Sequence, residues 1–196
     1  ERLIEKEEAS GGRQTWLHDK LRIISFIVPE NSDYTGKALG KMKWGKRVNV
    51  YVVKIRRGTH TYILPKENAS LHPGDKVYVV GEERAILNFY KIIKAEPCRR
   101  MRTLREFMES GYPDIEKALS VCAVKVTGQE DFAGKPIKYS HMRQRWNCIV
   151  LGLQRNGLPV IMPNASMIIS KGDIVWIMGS NNNVGRLASE YADDEE

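Results

Sequence analysis

The chain has 196 residues, 42% apolar and 28% charged, a globular balance that argues against a disordered polypeptide. It lacks any run of about 18 apolar residues, so no segment has the pattern of a membrane-spanning helix. The net charge of +7 at pH 7 calls for anionic surroundings, although EKEE near the start and DDEE at the end are acidic.

The cations cluster in two places: Lys41, Lys43, Lys46, Arg47, Lys54, Arg56 and Arg57 in the first half, and Arg99, Arg100, Arg102 and Arg105 in the middle. Such patches suit a nucleotide, a nucleic acid or a lipid surface, or are simply a solvated face. Glu1 is not a natural start and ERLIEKEE has no apolar stretch of a signal peptide, so the sequence reads as a piece of a longer protein. Cys98, Cys122 and Cys148 show no CxxC or zinc spacing, and the last two lie in apolar runs; this reads as a reduced, cytoplasmic chain.

Residues 1–21 read as an N-terminal extension. Gly11-Gly12 is a spacer there, and Trp16 and Leu17 are available to dock on the following module or on a membrane part. Leu21–Val28 is a β-rich run, ended by the turn formers of Pro29-Glu30-Asn31-Ser32-Asp33. Leu39 and Met42 at helical spacing predict a short helix within Tyr34–Trp44. Val48–Ile55 is a β-branched strand, Arg56-Arg57-Gly58-Thr59 a hairpin turn, and Thr61–Leu64 a return strand that stops at Pro65. His72-Pro73-Gly74-Asp75 is a further turn and Lys76–Val80 a strand closed by Gly81. Glu82–Ile93 has the apolar spacing of an amphipathic helix. The order is β-α-β-β-β-α over residues 22–93.

Residues 94–118 form a connector. Met101, Leu104, Phe107 and Met108 recur at helical intervals among arginines, and Gly111 and Pro113 end the pattern. An amphipathic helix packing one half of the chain on the other is the plain expectation. A lever that transmits ligand binding, or a helix resting on anionic lipid, are the functional ones.

A shift of 98 residues superposes the second half of the sequence on the first. Asp33-Tyr34-x-Gly36-Lys37 meets Asp131-Phe132-x-Gly134-Lys135, and Arg47-x-Asn49 meets Arg145-x-Asn147. Arg57 meets Arg155, Pro65 meets Pro163, Gly74-Asp75 meets Gly172-Asp173, and Gly81 meets Gly179. Turn residues and apolar pattern correspond together, which identifies an internal duplication. The second copy spans 119–192, with Pro136 in the first turn of its short helix, the strong turn Asn156-Gly157 in its hairpin, and an acidic tail at 193–196. The fold class is α+β: two tandem β-α-β-β-β-α modules, each a small, mainly antiparallel sheet with helices.

The run PEN-x-x-x-x-GK, then VNVYVVKIRRG, Pro65 and LHPGDKVYVVG resembles the RCK C-terminal (TrkA-C) domain. The second copy carries the same marks but reads VTGQEDFAGK where the first reads VPENSDYTGK, and it has one arginine fewer at the hairpin turn. The resemblance implies a cytosolic regulatory module of a potassium or other cation channel or transporter, located at the cytoplasmic face of the cell membrane. It implies pairing as a homodimer, a membrane-embedded partner in the same polypeptide or complex, and a small anionic ligand, with cyclic di-AMP the leading candidate. No GxGxxG follows a strand, so the Rossmann-like domain that usually accompanies this family is not expected here.

By the same resemblance, the ligand edge is expected at Lys43, Lys46, Arg47, Asn49 and Pro65. The counterparts are His141, Gln144, Arg145, Asn147 and Pro163. Two phosphates require cations or backbone N–H groups, and the first copy is the more basic. The plain alternative is that Asn49 and Asn147 bond within the fold while the lysines are solvated. The Gly-Asp pairs at 74–75 and 172–173 read as turns rather than metal ligands, since Gly supplies positive φ and Asp bonds its neighbouring backbone. Trp146 and Trp176 are expected in strands, packed in the core.

His18, His60, His72 and His141 have no mutual ligand spacing, and no Ser/His/Asp, HExxH or P-loop pattern occurs, so neither catalysis nor a required cofactor is expected. The leading function that the resemblance implies is a ligand-sensing regulatory domain; the alternative is a structural dimerisation or assembly module that binds nothing. A nucleic-acid partner is not expected, because no aromatic pair lies on a strand face within a basic patch.

Overall fold

A computed structural model describes residues 16–109 and 119–192. The extension up to residue 15, the end of the connector with Gly111 and Pro113, and the acidic tail lie outside the described residues. The chain divides into two compact units, the described residues 18–109 belonging to one and 119–192 to the other.

The helix α1 (Trp16–Lys20), which belongs to the first unit from His18 onward, leads into β1 (Leu21–Ile27). Two short helices follow, α2 (Leu39–Met42) and α3 (Trp44–Val48), then β2 (Tyr51–Arg57), β3 (His60–Ile63), β4 (Lys76–Glu82) and α4 (Glu83–Ile93). β5 (Arg102–Thr103) and α5 (Leu104–Glu109) come next. The strand order is β3-β2-β4-β1-β5, antiparallel throughout. One face of the sheet carries the core: Ile24, Phe26, Val77, Val79 and Ile55, under Met42, Trp44 and the α4 residues Ile86, Phe89 and Ile93. Residues 86, 89 and 93 fall on one stripe of a helix, and burying each contributes about 1.5–3 kcal/mol. α4 ends at Lys94, whose φ of 48° is left-handed and whose N–H returns to the Tyr90 carbonyl.

The second unit has β6 (Leu119–Lys125), a single 3₁₀ turn (Ile137–Tyr139), α6 (Met142–Trp146), β7 (Ile149–Arg155), β8 (Leu158–Ile161), β9 (Ile174–Ser180) and α7 (Asn181–Ala192). Its order β6-β9-β7-β8 is that of β1-β4-β2-β3. Both copies skip one residue where the second strand of the module pairs with the fourth, at Val53 and at Leu151. The skipped carbonyl accepts from the N–H of Leu64 or Met162 at 2.8 Å. Those two residues have φ of 44° and 47°, just before Pro65 and Pro163. A side chain at positive φ is unusual, and here each is buried.

Several boundaries differ from the sequence expectation. The short helix expected within 34–44 is present at 39–42, after a turn at Tyr34 to Gly36, but Lys43 breaks it with φ 51° and a second helix follows at 44–48. The strand expected from Val48 therefore starts at Tyr51. Pro136 pairs with Ile168 in an isolated bridge and precedes the 3₁₀ turn instead of entering it. Trp176 is a buried strand residue, but Trp146 is the buried last residue of α6.

Gly81 and Gly179 lie inside their strands. A Cβ on Gly81 would meet Val50 Cγ1 at 3.0 Å, and one on Gly179 would meet Cys148 Sγ at 2.5 Å. Close approach, not turn geometry, selects glycine there.

The connector also differs. Cys98 N–H donates to the Ser25 carbonyl at 2.7 Å and β5 pairs with β1, so the arginine-rich stretch extends the first sheet before α5 begins. Leu104 and Phe107 are buried, with the Phe107 ring 6.1 Å from Tyr78. Arg105 fastens α5 to Asp19 by two hydrogen bonds of 2.6 and 3.1 Å.

The two copies anchor the turn after their first strand differently. In the second, Glu130 accepts from the N–H groups of Thr127 and Gly128 at 2.8 and 2.9 Å. In the first, Pro29 stands in the Thr127 position and has no N–H to satisfy. There Ser32 and Thr35 share a hydroxyl contact of 2.6 Å, and Thr35 reaches the Pro29 carbonyl.

Candidate ligand-binding edge

The proposed edge of each copy is a five-residue helix bracketed by two left-handed residues. Around α3 these are Lys43 (φ 51°) and Asn49 (φ 53°); around α6 they are His141 (φ 56°) and Asn147 (φ 47°). Asn tolerates this conformation better than most residues, and the Asn49 N–H closes the helix on the Gly45 carbonyl at 3.1 Å. Asn147 does the same on Arg143. Both asparagines thus end a helix, whatever else their side chains do.

Lys43, Lys46, Arg47 and Asn49 are exposed, as are His141, Gln144 and Arg145, while Asn147 is half-buried. Pro65 and Pro163 are buried. They lie at the base of the edge: the Gly40 N–H donates to Glu67 and that of Leu39 to Ala69, so the stretch after Pro65 packs against the start of α2. In the second copy Ile137 and Lys138 make the equivalent bonds to Met167 and Ala165.

The copies part company at the shared arginine. Arg145 is held by Asp131 and Glu190 together and its guanidinium lies 4.5 Å from the Trp146 ring centroid. The Trp146 indole N–H also donates to Glu190 at 3.1 Å. In the first copy the positions of Trp146 and Glu190 are filled by Val48 and Ile92, and neither Arg47, Lys43 nor Lys46 is in an ion pair among the described residues. One arginine is neutralised by its own module; its twin presents its charge to solvent.

The Gly-Asp turns hold the sheets instead of a metal. Asp75 is buried (1% exposed) and takes Arg57 Nε and Nη2 at 2.8 Å each, with the His72 N–H at 2.8 Å. Asp173 repeats this with Arg155 and the Ser170 N–H. Burial alone would raise each carboxyl, but the guanidinium and the backbone N–H hold both below the ordinary carboxylate range. Sequence reading aligned Arg57 with Arg155 and Asp75 with Asp173 without pairing them. Their shared spacing across the repeat was the available signal.

The TrkA-C domain family matches the chain twice, over residues 23–94 and 123–191, and the chain belongs to that family. This is a regulatory and non-enzymatic family assignment. A putative transport protein of Klebsiella pneumoniae (strain 342) is 23% identical over 190 residues. That match covers 97% of this chain but 31% of the relative, so the chain spans about a third of that protein's length.

Among solved structures, the RCK_C domain dimer of S. agalactiae BusR in complex with c-di-AMP is 21% identical, covering 38% of this chain and 93% of that one, with a TM-score of 0.35. The RCK C domain of the potassium transport protein KtrA with c-di-AMP is 17% identical, covering 46% and 94%, with a TM-score of 0.34. BusR in complex with its busA-promotor DNA is also similar, 18% identical over 47% of this chain and 46% of that one, with a TM-score of 0.36. At these identities and scores the ligands of those proteins do not carry over to this chain. No helix among the described residues is long and apolar enough to cross a membrane.

Proposed function

We propose that this tandem pair is the ligand-sensing regulatory part of a potassium or other cation transport system, at the cytoplasmic face of the membrane, and that its first module binds a nucleotide such as cyclic di-AMP. The exposed Arg47, set beside Lys43 and Lys46 with no carboxylate among the described residues engaging it, supports this reading. The second module keeps the same backbone but spends its arginine on Asp131 and Glu190. Binding acts by favouring one arrangement of paired chains in a homodimer, and it shifts that equilibrium only by its differential affinity for the two arrangements.

Isothermal titration with cyclic di-AMP, and with cyclic di-GMP, ATP and AMP as controls, tests the proposal. Saturable micromolar binding that Arg47→Ala weakens by tenfold or more, with Arg145→Ala close to wild type, is the expected result. No heat with any of the four makes a ligand-free assembly module the better reading. Sedimentation of the chain with and without ligand reports the homodimer. DNA binding that falls steeply with salt would point instead to a nucleic-acid partner.

A further inference from the structure

The first strand of each module meets a different fate at its outer edge. In the first module β1 lies between β4 and β5. There the Ser25 carbonyl accepts from the Cys98 N–H at 2.7 Å, Phe26 bridges Pro97, and Arg22 and Ile23 pair with Thr103 and Arg102. The aligned strand β6 ends its sheet, with β9 on one side and no strand on the other among the described residues.

β6 also lacks the devices that keep a strand edge from pairing. The other strands at a sheet margin are short, with four residues in β3 and β8 and two in β5, and β8 carries Pro159. β6 has seven residues, LSVCAVK, with no proline and a single charge at its end. Its register with β9 runs unbroken from Leu119 to Lys125, so no bulge twists the edge away. Ser120, Val121, Cys122 and Ala123 are each half-buried.

The ladder decides which groups that edge presents. The Val126 N–H donates to the Asp173 carbonyl at 2.8 Å, and the Val126 carbonyl accepts from the Gly172 N–H at 2.8 Å, so Val126 faces the β9 side. Successive residues of an antiparallel strand face its two neighbours in turn. Val124, Cys122 and Ser120 therefore bond towards β9, while Lys125, Ala123, Val121 and Leu119 aim their N–H and C=O groups outward. Ala123 aligns with Ser25, whose carbonyl is the one bonded outward in the first module.

We infer that β6 pairs antiparallel with β6 of a second molecule of this protein, about a two-fold axis at Cys122. The axis at the middle residue uses the whole strand, setting Val121 opposite the partner's Ala123 and Leu119 opposite the partner's Lys125. The two lysines then stay apart, so no like charges oppose each other across the pair. The chain's own tail is a poor occupant: Glu195 and Glu196 align with Pro97 and Cys98, and glutamate is depleted in strands. This pairing rests on the homodimer proposed above and says where it forms; it does not involve the Lys43–Arg47 edge.

The test is sedimentation equilibrium of the full chain, with thermal unfolding of each variant to establish that it folds. Proline is tolerated on an edge strand where its missing N–H would face solvent. Val121→Pro and Ala123→Pro should therefore fold, yet each should weaken dimerisation by roughly tenfold or more, while Arg47→Ala leaves it unchanged. A second readout is oxidation of the Cys98→Ser variant by diamide, which takes up the two protons and two electrons of disulfide formation. Residues opposed in a non-hydrogen-bonded pair lie about 4.5 Å apart at Cα, within disulfide reach, and Cys148 is buried. A covalent dimer joined at Cys122, located by peptide mapping, is expected. A dimer that both proline variants leave intact, with no Cys122–Cys122 bond, overturns the edge pairing and keeps the homodimer. A chain that stays monomeric at every concentration overturns both. Should the proline variants unfold, the disulfide decides, and its absence from a dimeric chain overturns the pairing.

Discussion

Arg57 grips Asp75 through two parallel hydrogen bonds of 2.8 Å, and it also reaches the Ser70 carbonyl at 2.8 Å. One guanidinium therefore joins the end of β2 to the turn that starts β4. Asp75→Asn keeps the shape but loses the charged acceptor, and should cost about 2 kcal/mol in urea unfolding. Arg57→Ala strands a buried carboxylate and should cost more, about 3 kcal/mol. If both substitutions leave the urea midpoint unmoved, the pair is ornamental.

The same pair sets an acid dependence. The folded carboxyls of Asp75 and Asp173 lie below their ordinary value. Their contribution is therefore fully present above the unfolded value of about 4 and is lost as pH falls through the lower folded one. The stability gap between wild type and Asp75→Asn should be largest near neutral pH and shrink below about pH 4. Urea midpoints at pH 7, 4 and 3 measure it, and a gap that stays constant over that range contradicts the assignment.

Gly179 is held to glycine by contact. Gly179→Ala drives a methyl group against Cys148 Sγ and should destabilise by about 1–3 kcal/mol. Removing the sulfur in Gly179→Ala/Cys148→Ala should restore part of that loss, a coupling that the double-mutant cycle reads directly. Additive effects would mean the crowding lies elsewhere.

Burial pushes the Cys148 thiol up to about 11, with Arg143 pulling weakly the other way, whereas Cys98 is exposed. Since the thiolate is the reactive form, a thiol reagent at pH 8 should modify Cys98 quickly and reach Cys148 only on unfolding. Cys98→Ser should remove the fast phase. Rapid labelling at Cys148, located by peptide mapping, would contradict its burial.

Much of the architecture was legible because it is written twice. Alternation marked the strands, and the 98-residue shift confirmed each turn by its twin. The helix α3 was missed because Val48-Asn49-Val50 reads as β-branched strand, although Arg47-x-Asn49 and Arg145-x-Asn147 carried the sign of an asparagine helix end. β5 has two residues and no pattern of its own; only pairing with β1 makes it a strand, and such long-range pairing is invisible to a local window. At the candidate edge, the residue types were readable from the chain. The clamping of Arg145 was not, since Glu190 is 45 residues away and becomes its neighbour only when α7 folds over α6.

A chain that carries two sheets of one strand order must also avoid exchanging strands between them. Lys54 stands opposite Tyr78, where its ammonium lies against the phenol ring, and Gly152 stands opposite Trp176, where the missing side chain leaves room for an indole. Exchanged, β2 would set a lysine against that indole and β7 would leave the tyrosine facing a gap. Each long residue has its fitted partner in its own half. Divergence at a single aligned position thus serves as an address label, helping each strand find its own half as the chain folds.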